Sequence, residues 1–176
     1  MGWLIFCHFV ALVLFGANVK FWVWLDADEF VKDGAKDSLK LTFHRQRLTW
    51  RAGVVAVIAL LASLPCVESW EAYVVSSAGL MWGAACYFGA TFNRLLSLAR
   101  GRDPDYVSFA PEAARFPDQL LAGLARRRYP NPLDLEPLHL EQTAFAGRLL
   151  RRLSYALLLA GALGYGASWW GLIMVR

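Results

Sequence analysis

Four long apolar runs dominate the chain, separated by polar, turn-forming segments of unequal length. They are Trp3 to Leu25, Leu48 to Val67, Trp70 to Phe92 and Leu153 to Val175. Each is about 20 residues or slightly longer, the length a helix needs to cross ~30 Å of hydrocarbon. In lipid a backbone N–H has no water to bond, so such a span has to be helical. The pattern predicts an all-α, polytopic integral membrane protein with spans at 3–25, 48–67, 70–92 and 153–175. An inner loop at 26–47 and a helical, Arg-rich cytoplasmic subdomain at 93–152 complete the expected organisation. Two competing readings fit less well. A signal peptide at the first run would have a basic n-region and a clear small-residue cleavage site, and neither is present. A re-entrant hairpin around Pro65-Cys66-Val67 would need shorter arms than these.

The polar segments have their own periodicity. Residues 26–47 begin with Asp26, Asp28, Glu29, Asp33 and Asp37, then turn basic. Gly34 and Asp37-Ser38 mark a turn and a helix start, while the alternation in Leu39-Lys40-Leu41-Thr42-Phe43-His44 would also suit a short strand. Irregular chain with Pro104, Pro111 and Pro117 precedes a short amphipathic helix in which Leu120, Leu121 and Leu124 share a face, ended by Pro130 and Pro132. No proline follows Pro137, so one helix is expected to run from there through the fourth apolar run. The third run is expected to continue inward through Asn93 to Arg100.

Composition agrees with an apolar phase. Hydrophobic residues make up 57% of the 176, and charged residues only 18%; soluble domains carry roughly 45–50% and about 25%. Charge then orients the spans. Of the 18 basic residues all but Lys20 and Arg176 fall within 26–51 or 93–152. Basic loops stay inside, so both segments are cytoplasmic and both termini lie outside, the alternation that four spans demand. Trp3, Trp70, Trp169 and Trp170 fall near outer span ends and Trp22, Trp24 and Trp50 near inner ends, as an interfacial belt would place them. The expected location is the plasma membrane of a bacterium.

Candidate chemistry is sparse. Cys7, Cys66 and Cys86 share no metal or redox spacing and read as small buried hydrophobes. No nucleophile, zinc or phosphate-loop motif occurs, no motif identifies a family, and no cofactor is expected. Asp26, Asp28 and Glu29 would suit a divalent cation but lack the calcium-loop pattern, so a solvated acidic face is the simpler reading. His8 and Asn18 share one face of the first span. They are read as interhelical hydrogen-bonding groups or, alternatively, as a polar path. Rows of small residues, Gly79, Gly83, Ala85 and Gly89 in the third span and Ala156, Ala160, Gly164 and Ser168 in the fourth, read as close helix-packing surfaces, within one chain or between copies. Arg126, Arg127, Arg128, Arg148, Arg151 and Arg152 form the densest positive charge. They suit anionic lipid headgroups or an acidic protein partner. Nucleic acid is not the expected ligand, because no reading motif or interleaved aromatic accompanies them. The expected function is a non-enzymatic membrane subunit that oligomerises or docks partners through a cytoplasmic stem, as in a secretion, conjugation, respiratory or defence assembly. The alternatives are an oligomeric pore lined by the first span and a metal-dependent enzyme acting on lipid.

Overall fold

The computed structural model describes residues 1–32, 37–109, 117–130 and 136–175, without the side chains of 28–32, 37–46 and 136–139. Its elements are α1 (Gly2–Lys32), α2 (Asp37–Ala62), α3 (Trp70–Ala99), α4 (Asp118–Arg128) and α5 (Glu136–Val175), with a 3-10 turn at Leu64–Cys66. No strand occurs among the described residues, and the alternating stretch at 39–44 is helical. Its two-residue pattern yields to the longer helix that propagates through the apolar run beside it. Gly34, Pro111, Arg115, and the side chains of Asp28, Glu29, Lys40, His44 and His139 lie outside the described residues.

Local chemistry sets the ends. Ser69 caps α3 by accepting from the Ala72 N–H at 3.2 Å, and Glu71 stands in the first turn, where the helix dipole favours an acid. At the other end Gly101 adopts φ 67°, with its N–H on the Leu98 carbonyl and that of Arg102 on the Ser97 carbonyl. That is a Schellman close, which needs a residue able to turn left-handed. Arg126, Arg127 and Arg128 occupy the last turn of α4, where cations suit the dipole. The expected continuity of α5 is observed, over 40 residues, or about 60 Å at 1.5 Å per residue.

Among the described residues two helical stretches, Gly2–Ala27 and Leu140–Val175, are long and apolar enough to cross a membrane. A core helix of a water-soluble protein would be mostly buried. These are mostly unburied, with Trp3, Phe6 and Phe9 of α1 and Leu159, Leu163 and Trp170 of α5 exposed. α2 and α3 are less apolar by composition: α2 starts among charged residues and includes Arg51, while α3 is diluted with Gly, Ala and Ser.

α3 is the centre of the bundle. It packs most extensively on α5 and also on α1 and α2, whereas α1 and α5 make no close backbone approach to each other. One apolar cluster joins Ala11, Phe15, Ala59, Ala62, Leu80 and Ala84, and another joins Val19, Trp22, Val23, Phe92 and Leu96. Trp22 is therefore a core residue rather than part of a surface belt; Trp3, Trp24, Trp50, Trp70 and Trp170 are exposed. A separate stem core of Val107, Leu121, Ala122, Ala125, Ala146 and Leu150 fastens α4 and the 101–109 chain onto α5. The buried face of α4 is thus Leu121, Ala122 and Ala125, while Leu120 and Leu124 are exposed. The expected leucine face is rotated because two alanines let α4 approach Ala146 closely.

Candidate functional site

A buried polar chain links four segments of the bundle. His8 on α1 is 1% exposed. Its Nδ1 lies 2.8 Å from the Tyr165 hydroxyl on α5, and its Nε2 lies 2.8 Å from Ser76 Oγ on α3. Ser76 Oγ is 2.8 Å from Ser63 Oγ at the end of α2, which donates to the Ala59 carbonyl. Trp169 packs edge-on against the His8 ring at 4.9 Å between centroids. Each hydroxyl has one proton, which fixes the direction of the chain. Ser63 donates to the carbonyl, so Ser76 donates to Ser63 and must accept from His8 Nε2–H. A neutral His8 then has a bare Nδ1, and Tyr165 donates to it. In an apolar interior each of these bonds stabilises the assembled form, at roughly 0.6–2 kcal/mol per contact.

Tyr165 also lines a cleft. Because the backbones of α1 and α5 stay apart on either side of α3 and meet only through side chains such as His8 and Tyr165, a 380 Å³ groove remains, walled by Leu12, Phe15 and Gly16 of α1 and Leu158, Gly161 and Tyr165 of α5. Gly83 and Ala84 of α3 complete it. A Cβ at Gly16 would meet nothing within 4 Å.

The small residues bring α3 and α5 together within one chain. A Cβ at Gly79 would overlap the Ser168 side chain, and one at Gly83 would touch Tyr165. A Cβ at Gly164 would overlap the Trp82 indole, which lies across it and donates from Nε1 to the Ala160 carbonyl at 2.9 Å. Gly89 faces Leu157, while Ala85 and Ala156 are exposed and lie off this contact. Gly161, outside the expected row, is part of it: a Cβ there would come within 2.8 Å of Cys86 Cβ. Asn18 is not joined to His8; its amide donates to the Leu14 carbonyl of its own helix at 2.8 Å.

At the other end of the bundle, charges are tied inward. Asp26, 4% exposed, accepts on Oδ1 from Arg47 at 2.5 Å and from Arg51 at 2.8 Å. Arg51 lies over the Phe92 ring at 4.8 Å and beside Trp22. Aromatic faces can replace part of a buried guanidinium's hydration. Among the described residues no group of three His, Cys, Asp or Glu side chains could hold a metal ion. Asp105 pins the 101–109 chain by pairing with Arg94 at 3.2 Å and with Arg151. Its hydrogen bond and opposite charge push the Arg151 guanidinium above its ordinary pKa.

The six expected arginines are all exposed and divide by role. Arg126 donates to the Phe109 carbonyl at 2.7 Å, Arg128 lies over Tyr129, and Arg151 holds Asp105. Among the described residues Arg127, Arg148 and Arg152 have no ion-pair partner.

Ser63, Ser76, Tyr165, Asp105 and Arg94 were not singled out by the sequence, and Trp169 was read there only as an interfacial tryptophan. The available signal was polarity inside apolar runs, which Ser63, Ser76 and Tyr165 share with His8. Compared with protein-family models, curated proteins and solved structures, the chain matches none of them.

Proposed function

We propose that the chain is a non-enzymatic membrane subunit with four spans, both termini outside and the α4–α5 stem in the cytoplasm, where the stem docks an acidic protein partner. The observation that carries the proposal is the outward face of α4. Leu120, Leu124 and Arg127 follow one another at i, i+4 and i+7 and are all exposed, although α4 has already filled its own core contact with Leu121, Ala122 and Ala125. Two leucines beside a cation unpaired among the described residues form the anchor pattern of a helix that meets a partner groove. The positive-inside distribution and the exposed apolar surfaces of α1 and α5 support the membrane placement.

Gentle detergent extraction followed by native mass measurement tests docking. The wild type is expected as a defined complex, and L124E/R127E is expected to release the partner while remaining resistant to alkaline extraction from membranes. A lone wild-type monomer would refute docking. Loss of binding to anionic vesicles alone would reassign this face to lipid headgroups. Accessibility of single cysteines placed at the span ends tests the four-span topology.

A further inference from the structure

We propose that the outward face of α5 at Arg148 and Arg152 binds the phosphate headgroup of an anionic phospholipid, whose tails lie along the helix toward Leu159 and Leu163. This rests on the membrane placement above but not on partner docking. Packing first decides which residues of α5 face outward. Gln142, Ala146, Leu150 and Ser154 are buried and four apart, so one stripe of the helix is turned to the rest of the protein. Arg148, Arg152, Tyr155 and Leu159 follow one another at i, i+4, i+7 and i+11 on the opposite side, and all four are exposed. Arg151, between the two outward arginines, is held by Asp105.

The helix carries its own depth gauge. After Arg152 no charged residue occurs before Arg176. Along the axis Arg152 and the exposed Trp170 are about 27 Å apart at 1.5 Å per residue, close to the ~30 Å of hydrocarbon. An indole settles at the headgroup level. With Trp170 at one boundary, Arg152 stands at the other and Arg148 one turn beyond it, both at the depth of lipid phosphates. Neither has an ion-pair partner among the described residues, and Glu141, the carboxylate on the same face, is two turns further into the stem. Like charges at i and i+4 repel each other. A phosphate between them relieves that repulsion, and each guanidinium can offer it two parallel N–H bonds. Leu159 and Leu163 continue the exposed face into the hydrocarbon. A phospholipid matches the charge and the apolar surface together, whereas an acidic protein would have to bring a span of its own.

The test is native mass titration of the full chain in a mild detergent, with phosphatidylglycerol and phosphatidylcholine of the same acyl chains as probes. Phosphatidylglycerol is expected to bind about 25-fold more tightly. Arg148→Gln and Arg152→Gln should each weaken it about fivefold, and the double variant should bind both lipids equally. Arg127→Gln removes a charge equally unpaired among the described residues, from α4, and should leave lipid binding unchanged. Circular dichroism checks that the variants are folded. Equal affinities in the wild type would overturn the proposal. An equal loss in Arg127→Gln would reduce the preference to net charge and overturn the site. Loss of a co-purifying protein from the Arg148/Arg152 double variant, with phosphatidylglycerol binding unchanged, would give the face to a protein. Failure of docking registers separately in the α4 variant, and failure of the membrane placement as release of the protein by alkaline extraction.

Discussion

Gly79→Ala is expected to loosen the α3–α5 contact although it adds only one methyl group. The new carbon would overlap Ser168 Oγ and Cβ, well inside the ~3.5–4.0 Å of ordinary carbon contact. Ser168 has little freedom to retreat: it is buried, and its hydroxyl donates to the Tyr165 carbonyl at 2.6 Å. Its Cβ cannot move without moving the backbone of α5. Overpacking of this kind costs about 1–3 kcal/mol, while alanine recovers roughly 1 kcal/mol of helix propensity. The net expectation is a loss of about 1 kcal/mol. Gly53→Ala is the control, since a Cβ there would meet nothing within 4 Å; it should gain about 0.5–1 kcal/mol. Adding Ser168→Gly to Gly79→Ala returns the space, so the double variant should regain most of the overpacking loss. The assay is reversible unfolding in mixed micelles of a mild detergent and dodecyl sulfate, analysed as a double-mutant cycle. Equal stabilities of the Gly79 and Gly53 variants, or no rescue by Ser168→Gly, would refute the close approach at this position.

Three further outcomes follow from the polar contacts. His8→Leu leaves the Tyr165 hydroxyl and Ser76 without their shared partner, and the same unfolding assay should record a loss of about 1–3 kcal/mol; Asn18→Leu, which removes only a bond within its own helix, should be nearly neutral. Asp26→Asn leaves Arg47 and Arg51 facing each other without a carboxylate, and about 3 kcal/mol should be lost, with a smaller loss when Arg47, the more exposed partner, is changed instead to Met. Asp105→Ala frees the 101–109 chain from Arg94 and Arg151, so limited proteolysis should begin in that segment while the apolar bundle unfolds at an unchanged dodecyl sulfate fraction.

Helix positions were legible because length and hydropathy are local properties, and the unbroken α5 could be read from the absence of proline after Pro137. Which face each helix buries was less legible. A row of small residues states that something approaches closely, but nothing in it states the angle. The contact on α5 runs through Gly161, Tyr165, Ser168 and Leu172 rather than through Ala156, because the bulky Trp82 lies across Gly164 and sets the rotation. The polar chain was illegible for another reason: His8 and Tyr165 lie 157 positions apart, and His8 and Ser76 lie 68 apart. Serine in an apolar helix can equally well bond its own backbone, as Ser63 also does, so identity alone does not reveal an interhelical role.

These contacts make α5 the common member of both ends of the molecule. Its first half carries Ala146, Leu150 and Arg151 into the stem, and its second half carries Tyr165, Ser168 and Trp169 into the bundle. A helix containing Gly161, Gly164, Gly166 and Gly171 should be easy to bend, since glycine pays most backbone entropy when ordered. Three of the four face α3 directly: Gly161 meets Cys86, Gly164 meets Trp82, and Gly171 meets Val75. The weak points of the rod are thus the points at which its neighbour braces it. Any displacement passed along α5 from stem to bundle would depend on α3 staying seated against it. A ligand or variant that parts the two helices would therefore soften the link to the stem as well as the bundle.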